Sequence, residues 1–219
     1  MVNVMMMKQI FEVDPPAPDA RFHKLLGDVG WNRLPGAIRR RFGKRLKGGA
    51  SVAYQGEVVA MEMNWAGRML AQAARLIGSP LPYDMDSKGQ PAVVIVTEDS
   101  QSDGQFWVRQ YGRAKGFPQV VHSSKRFSGP SGLEEYIGYG IGMALKVEAS
   151  SDALFFKSDH YFLQIAGRKF RLPRFLSPGA LVIGHHDLGE DNFMFSLRLS
   201  NRFFGEMIAQ DCLFQDAKE

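Results

Sequence analysis

The sequence predicts an α+β fold: a strongly curved antiparallel sheet of eight to ten strands, barrel or half-barrel, with helices near the N-terminal side. Three observations carry this. Three β-like runs, Ala92–Thr97, Gln105–Tyr111 and Gln119–Phe127, follow one another across breaks rich first in Asp, Ser and Gly, then in Gly and Pro, which are hairpin signals. Helical periodicity is confined to the first third of the chain, and helices segregated from consecutive strands argue for α+β over a parallel βαβ sheet. The 16 Phe and 23 Gly suit a bent, aromatic-lined sheet, since glycine permits bends and close approaches.

Residues 1–18 read as an N-terminal arm, 19–216 as a single α+β domain and 217–219 as a tail. The arm contains Asp14-Pro15-Pro16, where proline disfavours a regular helix. Asp19–Val29 reads as a short helix with Phe22, Leu25, Leu26 and Val29 at helical spacing, Asp19 as N-cap and Gly30 as its end. Ala37–Phe42 reads as a second helix. Ala50–Met63 is a strand, and Asn64 caps a helix, WAGRMLAQAARLI, closed by Gly78 and placed to pack on the sheet or close one end of it. Past the central hairpins, Gly138, Gly140 and Gly142 recur at every second residue, reading as a glycine-stripped strand with Tyr139, Ile141 and Met143 on the other face. Ala153–Ile165 is a strand pair or one long bent strand; Ala180–His186, Asn192–Leu199 and Phe203–Phe214 complete a meander.

Composition excludes several classes. The single Cys212 forbids an internal disulfide, and no CxxC or CxxH pair supplies a thiolate metal site. No GxGxxG follows a strand and opens a helix, so a Rossmann dinucleotide-binding domain is not expected; the expectation is of no cofactor. No apolar run approaches the ~20 residues needed to span a bilayer. The N-terminus lacks a basic region followed by an apolar core and small-residue cleavage site, so it does not read as a signal peptide and the expected location is cytoplasmic. The net charge of +4 is local: Arg39, Arg40, Arg41, Lys44, Arg45 and Lys47 place six positive charges within nine residues, leaving 21 basic against 23 acidic residues elsewhere. That balance argues against nucleic acid. The basic run is either a solvated helix end or, through Arg39, Arg40, Arg41, Lys44 and Arg45, a contact with an anionic membrane surface or acidic partner.

Within FWVRQYG, Trp107, Arg109 and Tyr111 share one face. That face is either wet, with the rings covering the arginine stem, or lines a cavity in which Arg109 anchors the polar end of a ligand between aromatic walls. A buried arginine needs a carboxylate partner, and Glu135 is the candidate. Tyr136 and Tyr139 complete the ligand-binding set. His122 and His160, on separate strands, are the candidate proton carriers alongside Glu135. His185 and His186 are adjacent on a strand and face opposite ways, so they do not share a metal; Asp159 and His160, also adjacent, are not expected to form a dyad. No G-x-S-x-G elbow accompanies Ser123 or Ser124.

The motifs FHKLLGDVGWNRLPGAIRRRF, FWVRQYG, LEEYIGYGIGMALKVE, GRKFRLPRFLSPG and FMFSLRLS, in that order across most of residues 20–215, resemble the domain-of-unknown-function family numbered 4166. Those are bacterial domains, sometimes fused behind a saccharopine-dehydrogenase-like module. Two departures are the longer basic stretch after Phe42 and the long helix Trp65–Ile77. The resemblance implies characteristic positions for Trp107, Arg109 and Glu135, and no activity.

The expectation is therefore a soluble domain binding an apolar small molecule, lipid or isoprenoid-like, in a cavity of the curved sheet. The alternatives are a cofactor-independent isomerase, cyclase or dehydratase using acid–base residues in the same cavity, and a peripheral interaction module acting through the basic run.

Overall fold

The computed structural model describes residues 17–78 and 80–216. Two short strands, β1 (Ala17–Pro18) and β2 (Lys44–Arg45), pair with each other and bracket helices α1 (Arg21–Arg33) and α2 (Gly36–Phe42). There follow β3 (Ser51–Met63), α3 (Trp65–Ala74), β4 (Pro91–Asp99), β5 (Gly104–Tyr111), β6 (Gln119–Arg126), β7 (Glu134–Gly138) and β8 (Ile141–Ala149). The chain continues through β9 (Ala153–Ile165), β10 (Arg168–Arg171), β11 (Ala180–Gly189), β12 (Asn192–Asn201) and β13 (Gly205–Gln215). Ten strands form a closed antiparallel barrel in the order β9-β11-β12-β13-β3-β4-β5-β6-β7-β8, with the β8–β9 ladder closing the circle. Closure removes the unpaired edges that an open sheet of this size would expose. β5 is paired antiparallel on both sides over Gln105–Tyr111, to β4 and β6.

Helices plug one end. Phe22, Ile38 and Phe42 are fully or almost fully buried there, and Phe22 packs edge-on against Phe42, Phe127 and Phe156 at 5.1, 4.9 and 6.0 Å. Burying side chains of this size stabilises by about 1.5–3 kcal/mol each. The other end is roofed by α3, its 3-10 extension Arg75–Ile77, and the segment between β10 and β11. Asn64 caps α3 as expected: its Oδ1 accepts from Gly67 N at 2.9 Å, and its Nδ2 donates to Phe204 O and Glu206 O. Gly67 lets α3 sit directly on β13, because a Cβ there would lie 2.0 Å from Met207 O. Ala153–Ile165 is one long strand that changes neighbours, pairing with β11 near its start and with β10 near its end.

Three local expectations are corrected. The first helix does not end at Gly30; it runs to Arg33, with its break at Gly27 (φ 66°), because Trp31 stacks on His23 at 5.2 Å and Leu34 is buried in the plug. Asp19 lies one residue before the position preceding the helix, where its carboxylate accepts from Arg21 N and grips the Arg21 guanidinium. Gly138–Gly142 is not a single glycine-stripped strand: β7 ends at Gly138, β8 begins at Ile141, and Tyr139-Gly140 form the two-residue turn with φ of 52° and 75°. Positive φ at both central residues is the hairpin turn that matches strand twist. Tyr139 is a costly residue at that position. Tyr139→Gly should therefore raise the urea-unfolding free energy by about 0.5–1 kcal/mol; a fall would mean that the exposed ring contributes more than its backbone strain.

Residues 1–16 of the expected arm and the tail 217–219 lie outside the described residues; Ala17-Pro18 pair with Lys44-Arg45. Among the described residues, no helix is long and apolar enough to cross a membrane.

Candidate functional site

Alternation along β5, β6 and β7 delivers a set of polar side chains to the barrel axis. On β5, Gln105, Trp107, Arg109 and Tyr111 are buried while Phe106 and Gln110 are exposed. On β6, Gln119, Val121, Ser123 and Lys125 share the inward face, and register places Trp107 beside Ser123 and Lys125 beside Glu135 of β7. Arg109, Lys125 and Glu135 are 5%, 1% and 3% exposed. Two cations and one carboxylate thus share a buried interior, where an unpaired charge is very costly.

The geometry centres on Glu135. Ser123 Oγ donates to its Oε1 at 2.5 Å, Lys125 Nζ lies 2.9 Å from the same oxygen, and Arg109 Nη2 lies 3.7 Å away. Arg109 Nη1 donates to Ser123 Oγ at 3.3 Å. The Lys125 contact is an ion pair without hydrogen-bond alignment, and among the described residues Arg109 Nε and Glu135 Oε2 also have no hydrogen-bond partner. Burial alone would raise the Glu135 carboxyl, but Lys125, Arg109 and the Ser123 hydroxyl outweigh it and hold it below its ordinary value, so it is ionised. Burial drives Lys125 down to about 8 against the opposing pull of Glu135. Its ammonium lies among rings, 4.9 Å from the Trp107 centroid and 5.3 Å from that of Phe156.

Above this cluster lies a cavity of about 260 Å³. Arg109, Ser123 and Glu135 form its polar floor; Val121, Met143, Ile183 and Leu197 are among its apolar walls; Leu70, Ile77, Leu172 and Leu176 roof it. Tyr111 and Tyr161 also line it, both pushed up by burial, Tyr161 to about 12, so both phenols are neutral donors. Below the cluster, His185 is enclosed by Phe42, Trp107, Phe156, Phe193 and Phe195. Burial, reinforced by Arg41, holds its pKa well below the ordinary value, and it is a neutral core residue. Among the described residues no group of three or more His, Cys, Asp or Glu could hold a metal ion.

The expected site residues divide. Arg109, Tyr111 and Glu135 meet at the cavity. Trp107 shares their face but lies one layer deeper, stacked on Phe42 at 6.2 Å. Tyr136 faces outward, packed on Phe162 and donating to Glu134 at 3.0 Å, because β7 alternates; Tyr139 is the exposed turn residue. His122 takes the outward register of β6 and is exposed, yet its ring, near Gly78, is among the groups lining the cavity. His160 lies in a separate outer groove with Arg171 and Arg174, so the two histidines are not brought together. Contrary to expectation, Asp159 and His160 do touch, with His160 Nδ1 2.8 Å from Asp159 Oδ2, because a register shift opposite Ala144–Leu145 leaves Asp159 unpaired in the ladder. His185 and His186 face opposite ways as expected, His186 reaching Ser196 Oγ at 3.0 Å.

The basic run is largely absorbed by the fold. Arg41 is buried, forms two hydrogen bonds to Asp216 at 2.7 and 2.6 Å and lies over the Phe193 ring. Arg45 pairs with Asp103 and lies 4.0 Å from Asp19, and Lys44 is half-buried; Arg39 and Arg40 remain exposed. The five therefore do not form one outward face. Lys125, Ser123 and Tyr161 are the site residues that sequence reasoning missed. The available signal was the inward alternation Gln119, Val121, Ser123, Lys125, but its meaning depended on the register with β7.

Lys125 has a pH signature. Its folded pKa lies below the unfolded value, so between about pH 8 and 10 the unfolded chain binds more protons and stability rises with pH. The expected gain is on the order of 2 kcal/mol across that window relative to Lys125→Met, which lacks the group. Parallel stability curves for the two proteins would mean that Lys125 is not depressed.

A family model described as Domain of unknown function (DUF4166) matches residues 34–214. No curated protein matches the chain, and no solved structure does.

Proposed function

This chain belongs to the DUF4166 family, and from that premise we propose that it is a binding domain for an apolar small molecule, lipid or isoprenoid-like, held inside the barrel with an acidic head group on Arg109. One observation carries the reading: a mostly apolar cavity ends on a buried cluster of two cations and one carboxylate in which Arg109 Nε has no hydrogen-bond partner among the described residues. Such a pocket, apolar with a few convergent polar groups, is the usual form of a ligand site. The surplus positive charge favours an anion over a neutral head, and the planar guanidinium favours a carboxylate or phosphate. A volume of about 260 Å³ lies just below the usual ~300–1,000 Å³ of ligand pockets and suits a small ligand such as a short acyl or monoterpenoid acid.

Native mass spectrometry of the purified protein should reveal a bound small molecule. Octanoate should displace 1-anilinonaphthalene-8-sulfonate from the stripped protein at least about tenfold more tightly than octanol does, since hydrogen bonds to charged groups are worth about 1.5–3 kcal/mol each. Equal affinities would remove the acidic head, and no binding of either would remove the cavity reading. Chemistry in the same cavity is the weaker reading: Glu135 is held ionised between two cations, His160 lies in another groove, and His122, which lines the cavity, takes the outward register of β6.

A further inference from the structure

We propose that the roofed end of the barrel docks on an anionic lipid bilayer, with apolar side chains around the cavity mouth entering the headgroup boundary and the arginines beside them meeting the lipid headgroups. This rests on the cavity reading above and assigns the surface through which its ligand is exchanged.

The asymmetry of the molecule motivates the proposal. Leu76, Phe117, Tyr139, Phe175, Leu176 and Phe203 are between 59% and 92% exposed. They sit on the extension of α3 and in the β5–β6, β7–β8, β10–β11 and β12–β13 connections, all of which leave the barrel at the roofed end. At the helix-plugged end, among the described residues, Val29 and Leu188 are the large apolar side chains comparably exposed. Apolar patches of this kind on a monomer mark an interaction surface.

The charge around the mouth has the sign an anionic bilayer requires. Lys115, Arg168, Arg171 and Arg174 are exposed, and none makes an ion pair among the described residues. At the plugged end Arg41 and Arg45 are held by Asp216 and Asp103, and the exposed Arg39 and Arg40 lack the rim of exposed apolar side chains that the mouth has. The β10–β11 connection joins the two functions. Pro173 and Pro178 bracket the 3-10 turn Arg174–Leu176; Leu172 and Leu176 line the cavity, while Arg171 and Arg174 line the outer groove. Leu176 is thus both cavity wall and exposed surface. Moving this turn into the headgroup region would expose the cavity mouth to acyl chains rather than to water. Basic residues beside an exposed apolar rim are the combination that holds a protein in a membrane interface.

The test is sedimentation of the full chain with vesicles of phosphatidylcholine alone, or with phosphatidylglycerol added, at low and high salt. Wild-type protein should partition onto the anionic vesicles, less at high salt, and not onto neutral ones. Arg168→Ser/Arg171→Ser/Arg174→Ser should lower the partition coefficient about 100-fold at low salt. Phe175→Ser, with its side chain in solvent and outside the cavity lining, should lower it severalfold while leaving anilinonaphthalene sulfonate binding unchanged. Arg39→Ser/Arg40→Ser, at the other end, should change neither. Absence of sedimentation at low salt, equal partition onto neutral vesicles, or loss of partition in Arg39→Ser/Arg40→Ser with none in the mouth variants would each overturn the proposal. Loss of probe binding with sedimentation intact would overturn the cavity reading alone.

Discussion

Glu135→Ala should destabilise the fold by about 3–5 kcal/mol, the usual cost of removing one partner from a buried ion pair, whereas Lys125→Met should be near neutral or stabilising. The difference follows from counting charge in a buried space. The wild-type interior holds Arg109, Lys125 and Glu135, so the carboxylate is the sole anion of the cluster and both cations depend on it. Removing it strands two desolvated cations and leaves the Ser123 hydroxyl without its acceptor. Removing Lys125 instead leaves one cation and one anion. Methionine fills much of the lysine stem's volume against Trp107 and Phe156, where a thioether packs well. Urea-unfolding free energies of the two variants at neutral pH give the comparison directly. Equal losses in both would mean that packing of the lysine stem, and not the charge imbalance, sets the stability of this layer.

Arg109→Met should lower octanoate affinity about 100-fold while changing octanol affinity only a few-fold, in the same displacement assay. The guanidinium is the cation that faces the cavity; Lys125 lies behind Glu135 among rings. Without Arg109 the floor presents Ser123 and an ionised Glu135, which repels a carboxylate. Loss of one or two charge-assisted hydrogen bonds, at about 1.5–3 kcal/mol each, matches a 100-fold change. The variant retains the Lys125–Glu135 pair, so it should fold, and its unfolding curve separates lost binding from lost structure. If octanoate and octanol weaken equally, Arg109 shapes the cavity without recognising the head group. If neither weakens, the ligand's acid lies elsewhere.

Much of the barrel was legible because its signals are local. Turn-rich breaks between β-branched runs marked the β4–β5 and β5–β6 connections, the Asn64 cap marked α3, and alternation put Trp107, Arg109 and Tyr111 on one face. The same alternation misled where the chain turns. Three glycines at every second position read as a strand, but Gly138, Tyr139 and Gly140 all have positive φ and reverse the chain. Tyr136, outward on β7, and Tyr139, in that turn, therefore both stand outside the site.

By itself, then, the sequence determined which residues alternate inward on each strand, where most hairpins fall, and that a buried Arg109 would need a carboxylate, because pleat, turn chemistry and desolvation act within a few residues. Only the tertiary structure decided that ten strands close, that Lys125 stands opposite Glu135, and that Arg41 leaves the basic run for Asp216, 175 residues away. Those outcomes depend on strand register and ring closure. A one-residue slip would carry every side chain of β6 to the other face of the sheet, and no pattern confined to β6 reports which register its neighbours will choose.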